Sequence, residues 1–253
     1  MDEEIKTANP LGYQKISKLL RSLAIPAIIA NLVNALYNVV DQIFIGQGIG
    51  YLGNAATNIA FPITTICLAI GLTLGIGGAS NFNLELGKGN PEKSKHTAGT
   101  AASTLIIIGI ILCISIRIFL EPLMISFGAT DKILQYAMEY TGITSYGIPF
   151  LLFSIGVNPL VRADGNARYS MMAIIVGAVL NTILDPLFMF VFHWGIAGAA
   201  WATVISQVVS ASLLLVYFPK FKSVKFSLND FIPQVHYLKR IISLGFASFI
   251  YQF

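Results

Sequence analysis

Charge is what this sequence has least of. Of its 253 residues only 11% are Asp, Glu, Lys or Arg, while 55% are hydrophobic and the mean hydropathy is +0.74. A soluble domain carries about 25% charged residues, so the composition specifies a polytopic membrane protein. Cysteine is scarce as well. Cys67 and Cys113 both fall in apolar stretches, which offers neither a disulfide nor a cysteine metal site. The three histidines, His96, His193 and His236, stand apart near the ends of apolar segments. No GxxxxGK[ST] run encodes an ATP motor, and no Ser/His/Asp or Cys/His set suggests an enzyme. Residues 1–15 have no apolar core, so no cleaved signal peptide is expected there. The net charge of +4 is no nucleic-acid signal, because the basic residues lie in loops facing one side.

What is present in abundance is long apolar segments. Six full spans run over about 17–46, 53–86, 96–120, 132–161, 168–192 and 196–218, with a seventh starting at about 237–253. These lengths demand helices, since barrel strands would be about ten residues with strict alternation. Turn chemistry separates the spans, as in Gly46-Gln-Gly48-Ile-Gly50, Gly87-Lys-Gly-Asn-Pro91, Asp164-Gly-Asn-Ala-Arg168 and Pro219-Lys-Phe-Lys222.

Fourteen of the 16 Lys and Arg residues fall on one side of this layout: Lys6, Lys15, Lys18 and Arg21; Lys88, Lys93 and Lys95; Arg162 and Arg168; and Lys220, Lys222, Lys225, Lys239 and Arg240. Arg117 and Lys132 fall on the other. The positive-inside rule then puts the N-terminus in the cytoplasm of a multi-pass protein of the inner or plasma membrane. Asp41 lies twenty residues beyond Arg21, about 30 Å along a helix. Asp185 lies seventeen beyond Arg168, so both acids are expected at similar depth in the outer half. Glu139 falls near the outer start of span four, where solvent can reach it, and Glu85 can snorkel at the cytoplasmic end of span two.

Polar stripes run along four spans. Asn31, Asn34, Asn38 and Asp41 recur every three or four residues on one face of span one. Span four carries Tyr140, Thr144, Gly147, Ser154 and Asn158; span five Asn181 and Asp185, then Pro186; span six Thr203, Gln207 and Ser210. A lone Ser or Thr in a membrane helix commonly just binds a neighbouring helix. A carboxylate costs about 2.5–3.5 kcal/mol to insert and marks a pathway. Burial disfavours a charged carboxyl, and two close together disfavour each other's charge. Such a pair takes up a proton, or Na⁺ with help from amide and hydroxyl oxygens. A cationic substrate would compete for the same charge, which is the thermodynamic basis of antiport.

Two internal echoes appear. Asp41-x-x-Phe44 followed by Gly50-x-x-Gly53-x-Ala55 is repeated as Asp185-x-x-Phe188 followed by Gly195-x-x-Gly198-x-Ala200, by shared ancestry or by convergence on small-residue packing. Lys18, Ser22 and Leu23 match Lys239, Ser243 and Leu244 at an offset of 221. Span seven thus resembles a new start on span one, and parallel six-span repeats are a transporter architecture. The expected chain is an N-terminal half plus the beginning of a second. Gly48-x-Gly50-x-x-Gly53 matches a dinucleotide fingerprint literally, but with no βαβ context it reads as a turn with close packing.

The chain resembles the multidrug and toxic compound extrusion (MATE) transporters, especially the prokaryotic DNA-damage-inducible branch and related bacterial multidrug exporters. The resemblance rests on Leu36-Tyr-Asn-Val-Val-Asp41-Gln-Ile-Phe-Ile-Gly46, on Gly71-Leu-Thr-Leu-Gly-Ile-Gly-Gly-Ala-Ser80 leading to Leu86-Gly-Lys-Gly-Asn-Pro-Glu-Lys93, on Val161-Arg-Ala-Asp-Gly-Asn-Ala-Arg168 and on Asn181-Thr-Ile-Leu-Asp-Pro186. It implies an all-α polytopic membrane protein with six transmembrane helices forming one lobe. Residues 1–16 would be a cytoplasmic segment, 17–219 the six-helix lobe, 220–236 a cytoplasmic inter-lobe linker and 237–253 the start of helix seven. It also implies export of organic cations and amphipathic drugs in exchange for H⁺ or Na⁺, without a cofactor, in partnership with the bilayer and a second lobe. The family's cation site maps onto Asp41, Asn181, Asp185 and Thr203, with Tyr37, Tyr140 and Asn158 around it. Asn34, from the stripe of span one, joins the cavity lining. A lipid-linked oligosaccharide flippase of the same superfamily, or a non-transporting membrane scaffold, is the competing expectation. A flippase would gather several cations to hold a pyrophosphate, whereas the assigned spans hold Arg117 and no conspicuous basic cluster, and both deep charges are acidic.

Overall fold

In a computed structural model, residues 15–252 are described. The polar segment expected over 1–16 lies almost wholly outside them, as do Lys6 and Phe253. Among the described residues there are helices and no strand. Helix α1 spans Ile16–Ile49, α2 Tyr51–Gly87 and α3 Pro91–Ile118. A short α4, Leu120–Ser126, precedes α5, Asp131–Thr144, and α6, Ile148–Ala163. Then come α7, Ala167–Pro186, α8, Gly195–Tyr217, and α9, Val235–Ile250. Six helical stretches are long and apolar enough to cross a membrane, with α5 and α6 together forming one of them.

Proline explains most departures from plain helices. Asn90-Pro91 starts α3, because a proline in the first turn forfeits no intrahelical bond. Pro149 interrupts the fourth span: α5 ends, a 3₁₀ turn over Ser145–Gly147 follows, and α6 begins. After Pro186 the chain widens into a π-turn over Leu187–Val191. Pro26, Pro62 and Pro159 stay inside continuous helices. Helix α4 had no signal in the sequence. It covers the bundle by burying Met124, whose sulfur accepts from the Thr141 hydroxyl at 3.4 Å.

The outer surface is apolar, with Ile107, Ile111, Ile114, Val179 and Ile183 exposed. The interior is rich in small residues, as expected where lipid removes any hydrophobic drive between helices and packing must supply the contact. Helix α2 is central, packing on α6 and on α9. A Cβ on Gly75 would come within 2.6 Å of the Gly156 carbonyl oxygen. One on Gly77 would strike the Ile241 carbonyl, and one on Gly245 the Thr73 carbonyl. The two echoed hairpins, α1–α2 and α7–α8, face each other. Their turns both use a left-handed glycine, Gly50 at φ 82° and Gly195 at φ 57°. Ile45 and Met189, each four residues beyond its aspartate, share one small core with Ala199, and Phe44 meets Phe190 edge-on at 6.2 Å.

The end carrying most basic residues is tied together by hydrogen bonds. Buried Asp164 accepts from the Tyr217 hydroxyl at 2.8 Å, from the Lys222 amide at 2.9 Å and from the Ser223 amide at 2.9 Å. The segment between α8 and α9, expected over 220–236 as an inter-lobe linker, is folded onto the bundle. Phe218, Phe221, Phe226 and Phe231 form an aromatic cluster, and Asp230 closes a capping box with Ser227. Arg240, grouped with the linker cations by sequence, lies in the second turn of α9 and donates to Asn81 Oδ1 at 3.1 Å.

Candidate functional site

A cavity of about 250 Å³ lies within the bundle, bounded by α1, α2, α6, α7 and α8. Apolar side chains such as Leu68, Leu72 and Ile155 form part of its wall. The polar stripes form the rest: Asn31, Asn34 and Tyr37 from α1, Ser154 and Asn158 from α6, Asn181 from α7, and Thr203, Ser206, Gln207 and Ser210 from α8. The helical period makes this convergence, since each stripe turns its polar face to the same space.

The acid pair sits just beyond the cavity, on the side away from the basic end. Asp185 is fully buried and Asp41 is 7% exposed. They come from two different helices, yet their carboxyls lie within hydrogen-bonding reach of each other. Asn181 links acid and cavity, its amide nitrogen lying 3.3 Å from Asp185 Oδ1 and 3.4 Å from the Thr203 hydroxyl. Gln42 reaches Asp41 Oδ2 at 3.5 Å and accepts from Thr57 at 3.1 Å. Asp41 Oδ1, Asp185 Oδ2 and Asn181 Oδ1 are buried and receive no hydrogen bond from the described residues. Three acceptor oxygens without donors, two of them on carboxyl groups, form a cluster suited to a proton or a small hard cation.

Of the residues singled out in the sequence, Asp41, Asn181, Asp185 and Thr203 come together. Asn34, Tyr37 and Asn158 line the cavity. Tyr140 is not among its lining residues; it approaches Thr203 from α5 and joins the polar cluster from behind. The stripe on α1 divides. Asn31 and Asn34 face the cavity, whereas Asn38 lines a shallow outer groove with Gln42, Gln47 and Asn54. Glu139 is exposed, and Glu85 pairs with Lys88 at 2.7 Å.

Sequence reasoning missed Arg162. Counted as a loop cation, it lies inside α6 and lines the cavity. Its Nη1 donates to Asn158 Oδ1 at 3.3 Å and to the Ser170 hydroxyl at 3.4 Å, and the Ser170 hydroxyl in turn donates to Asn158 Oδ1. Helical side chains lean toward the helix N-terminus, which carries this guanidinium back from the loop into the bundle. That directional rule was the available signal.

Comparison with known proteins bears on all of this. The Multidrug export protein MepA of Staphylococcus haemolyticus is 25% identical over 240 residues, covering 93% of this chain and 52% of that protein. The Probable multidrug resistance protein YoeA of Bacillus subtilis is 29% identical over 224 residues, covering 84% of this chain and 48% of that protein. A crystal structure of MATE in complex with MaL6 superposes with a TM-score of 0.89 at 28% identity, covering 98% of this chain and 55% of the other. The chain therefore spans about half the length of the curated relatives it matches. The family model described as MatE matches residues 26–187, and this membrane protein belongs to that family.

Proposed function

We propose that this chain forms the first lobe of a multidrug exporter that moves organic cations and amphipathic drugs in exchange for H⁺ or Na⁺. Residues 17–219 form the lobe, residues 220–236 lead toward a second lobe, and α9 begins it. The lobe sits in the cell membrane with its basic end and N-terminus in the cytoplasm. The observation that carries the reading is the approach of Asp41 and Asp185 from separate helices at the end of the cavity on which the polar stripes converge. The relatives' names, multidrug export and multidrug resistance proteins, supply the substrate class.

In this reading Asp41 and Asp185 hold the coupling cation, and Asn181 and Thr203 relay its presence to the cavity through the two contacts of the Asn181 amide. Proton, Na⁺ and cationic substrate draw on the same negative charge, so occupancy by one weakens the others. Tyr37, Asn34 and Asn158 border the substrate, with Tyr140 supporting Thr203. No cofactor is invoked, since ion exchange alone drives the cycle.

The test is efflux from proteoliposomes containing the chain together with the rest of its transporter, driven separately by ΔpH and by a Na⁺ gradient. Asp41→Asn and Asp185→Asn are each expected to abolish ion-driven efflux. In the unaltered protein Na⁺ binding is expected to weaken as pH falls, because protons compete for the same oxygens. Efflux that persists in both variants would sink the acid-pair assignment.

A further inference from the structure

Arg162 poses a problem that the cation-exchange reading leaves unsolved. Its guanidinium lines the same cavity, toward the end away from the acids. Among the described residues no carboxylate pairs with it; its partners are the neutral Asn158 and Ser170. Both bonds are made by Nη1, so among the described residues Nε and Nη2 have no acceptor. An arginine in a membrane protein's interior is costly and is normally paired or part of a pathway. Guanidinium geometry suits a planar or tetrahedral oxyanion held by two parallel bonds.

The neighbourhood is built for an amphiphile. Leu151 and Ile174 offer apolar wall to the same cavity, and among the described residues the buried Ser154 and Ser206 hydroxyls on its lining have no hydrogen-bond partner. Buried polar atoms in that state mark places where a ligand's polar groups are accepted. We infer that Arg162, with Ser170 and Asn158 setting its orientation, is an oxyanion-binding subsite of the cavity, and that the cavity takes amphipathic molecules bearing a carboxylate or phosphate head on an apolar body. This rests on reading the cavity as a ligand chamber, but not on the role of the acid pair. The chamber is then electrically two-ended: an anion is drawn to Arg162, and a cation to the region of Asn181 and the aspartates.

The test uses two neutral-bodied probes of equal size, 6-dansylaminohexanoate and its primary amide, titrated against the chain in detergent micelles. The carboxylate is expected to bind about tenfold or more tightly than the amide, the difference a charge-assisted bond gives. Arg162→Gln should erase that preference and Arg162→Lys should keep part of it. Repeating the titration in nanodiscs separates the sources of the oxyanion. Competition by phosphatidylglycerol, but not phosphatidylcholine, assigns the subsite to a lipid phosphate; no competition assigns it to a soluble carboxylate. Asp41→Asn should retain the preference, so a failure of ion coupling would leave this result standing. Equal binding of the two probes by the unaltered protein, binding of neither, or a preference that survives Arg162→Gln would overturn the proposal.

Discussion

At the scale of single residues, one of the most heavily bonded side chains among the described residues lies far from the acid pair. Asp164 is fully buried and accepts from Tyr217, Lys222 and Ser223, joining the end of α6 to the start of the segment beyond α8. Removing the carboxylate leaves two backbone amides and a hydroxyl unsatisfied, each costing about 1–3 kcal/mol where it stays buried. Asp164→Ala is therefore expected to lower the thermal unfolding midpoint in detergent markedly. Tyr217→Phe removes one bond and should cost only about 1 kcal/mol. Equal midpoints for Asp164→Ala and the unaltered chain would show that the contacts carry no stability. Asp164 was invisible as a staple in the sequence, where Asp164-Gly-Asn reads as turn chemistry. Its acceptors are filled by residues more than fifty positions away, which no local pattern encodes. Asp41 and Asp185 were legible for the opposite reason: an acid inside an apolar run needs no partner to be conspicuous. Their shared depth could be counted from the flanking arginines, but their mutual contact could not.

At the scale of elements, span lengths and turn residues carried almost all of the layout, because hydrocarbon leaves helices as the only way to satisfy the backbone. The sequence did not give the partners of each helix, since small residues recur on several faces. The structure resolves this at α2, where Gly75 meets α6 and Gly77 meets α9. The Gly75 contact is backbone to backbone, so neither side can yield by rotating a side chain. Gly75→Ala is expected to destabilise the lobe by about 1–3 kcal/mol, the usual cost of overpacking. Gly87→Ala is the control, since a Cβ there meets nothing within 4 Å. Its unfolding midpoint should match or slightly exceed that of the unaltered chain, given alanine's better helix propensity. If both substitutions gave the same midpoint, close approach at Gly75 would not be what holds α2 against α6.

At the scale of the whole molecule, charge is sorted between the two ends of the span layout. Fourteen of the 16 Lys and Arg residues precede, separate or follow the spans on one side, and the folded aromatic segment after α8 lies on that side too. Arg162 is near that end of the cavity and the aspartates are near the other, so the direction of insertion decides which compartment each one meets. The proposed orientation puts the acid pair toward the outside, where an inward-directed H⁺ or Na⁺ gradient would load it. Cysteine labelling decides this in a background with Cys67 and Cys113 replaced by alanine. Lys132→Cys, exposed near the start of α5, is expected to react with a membrane-impermeant maleimide in intact cells. Lys88→Cys, in the turn between α2 and α3, should react only after lysis. The reverse pattern would place the acids on the cytoplasmic side, where the same gradient would have to load them through the cavity rather than directly. The two arrangements therefore predict different orders of binding: with the acids outside, cation arrival can precede and expel a substrate already in the cavity. With the acids inside, cation and substrate must enter through the same chamber, and Arg162 would repel the incoming cation. Only the first arrangement gives both charged ends of the cavity a use in the proposed export cycle.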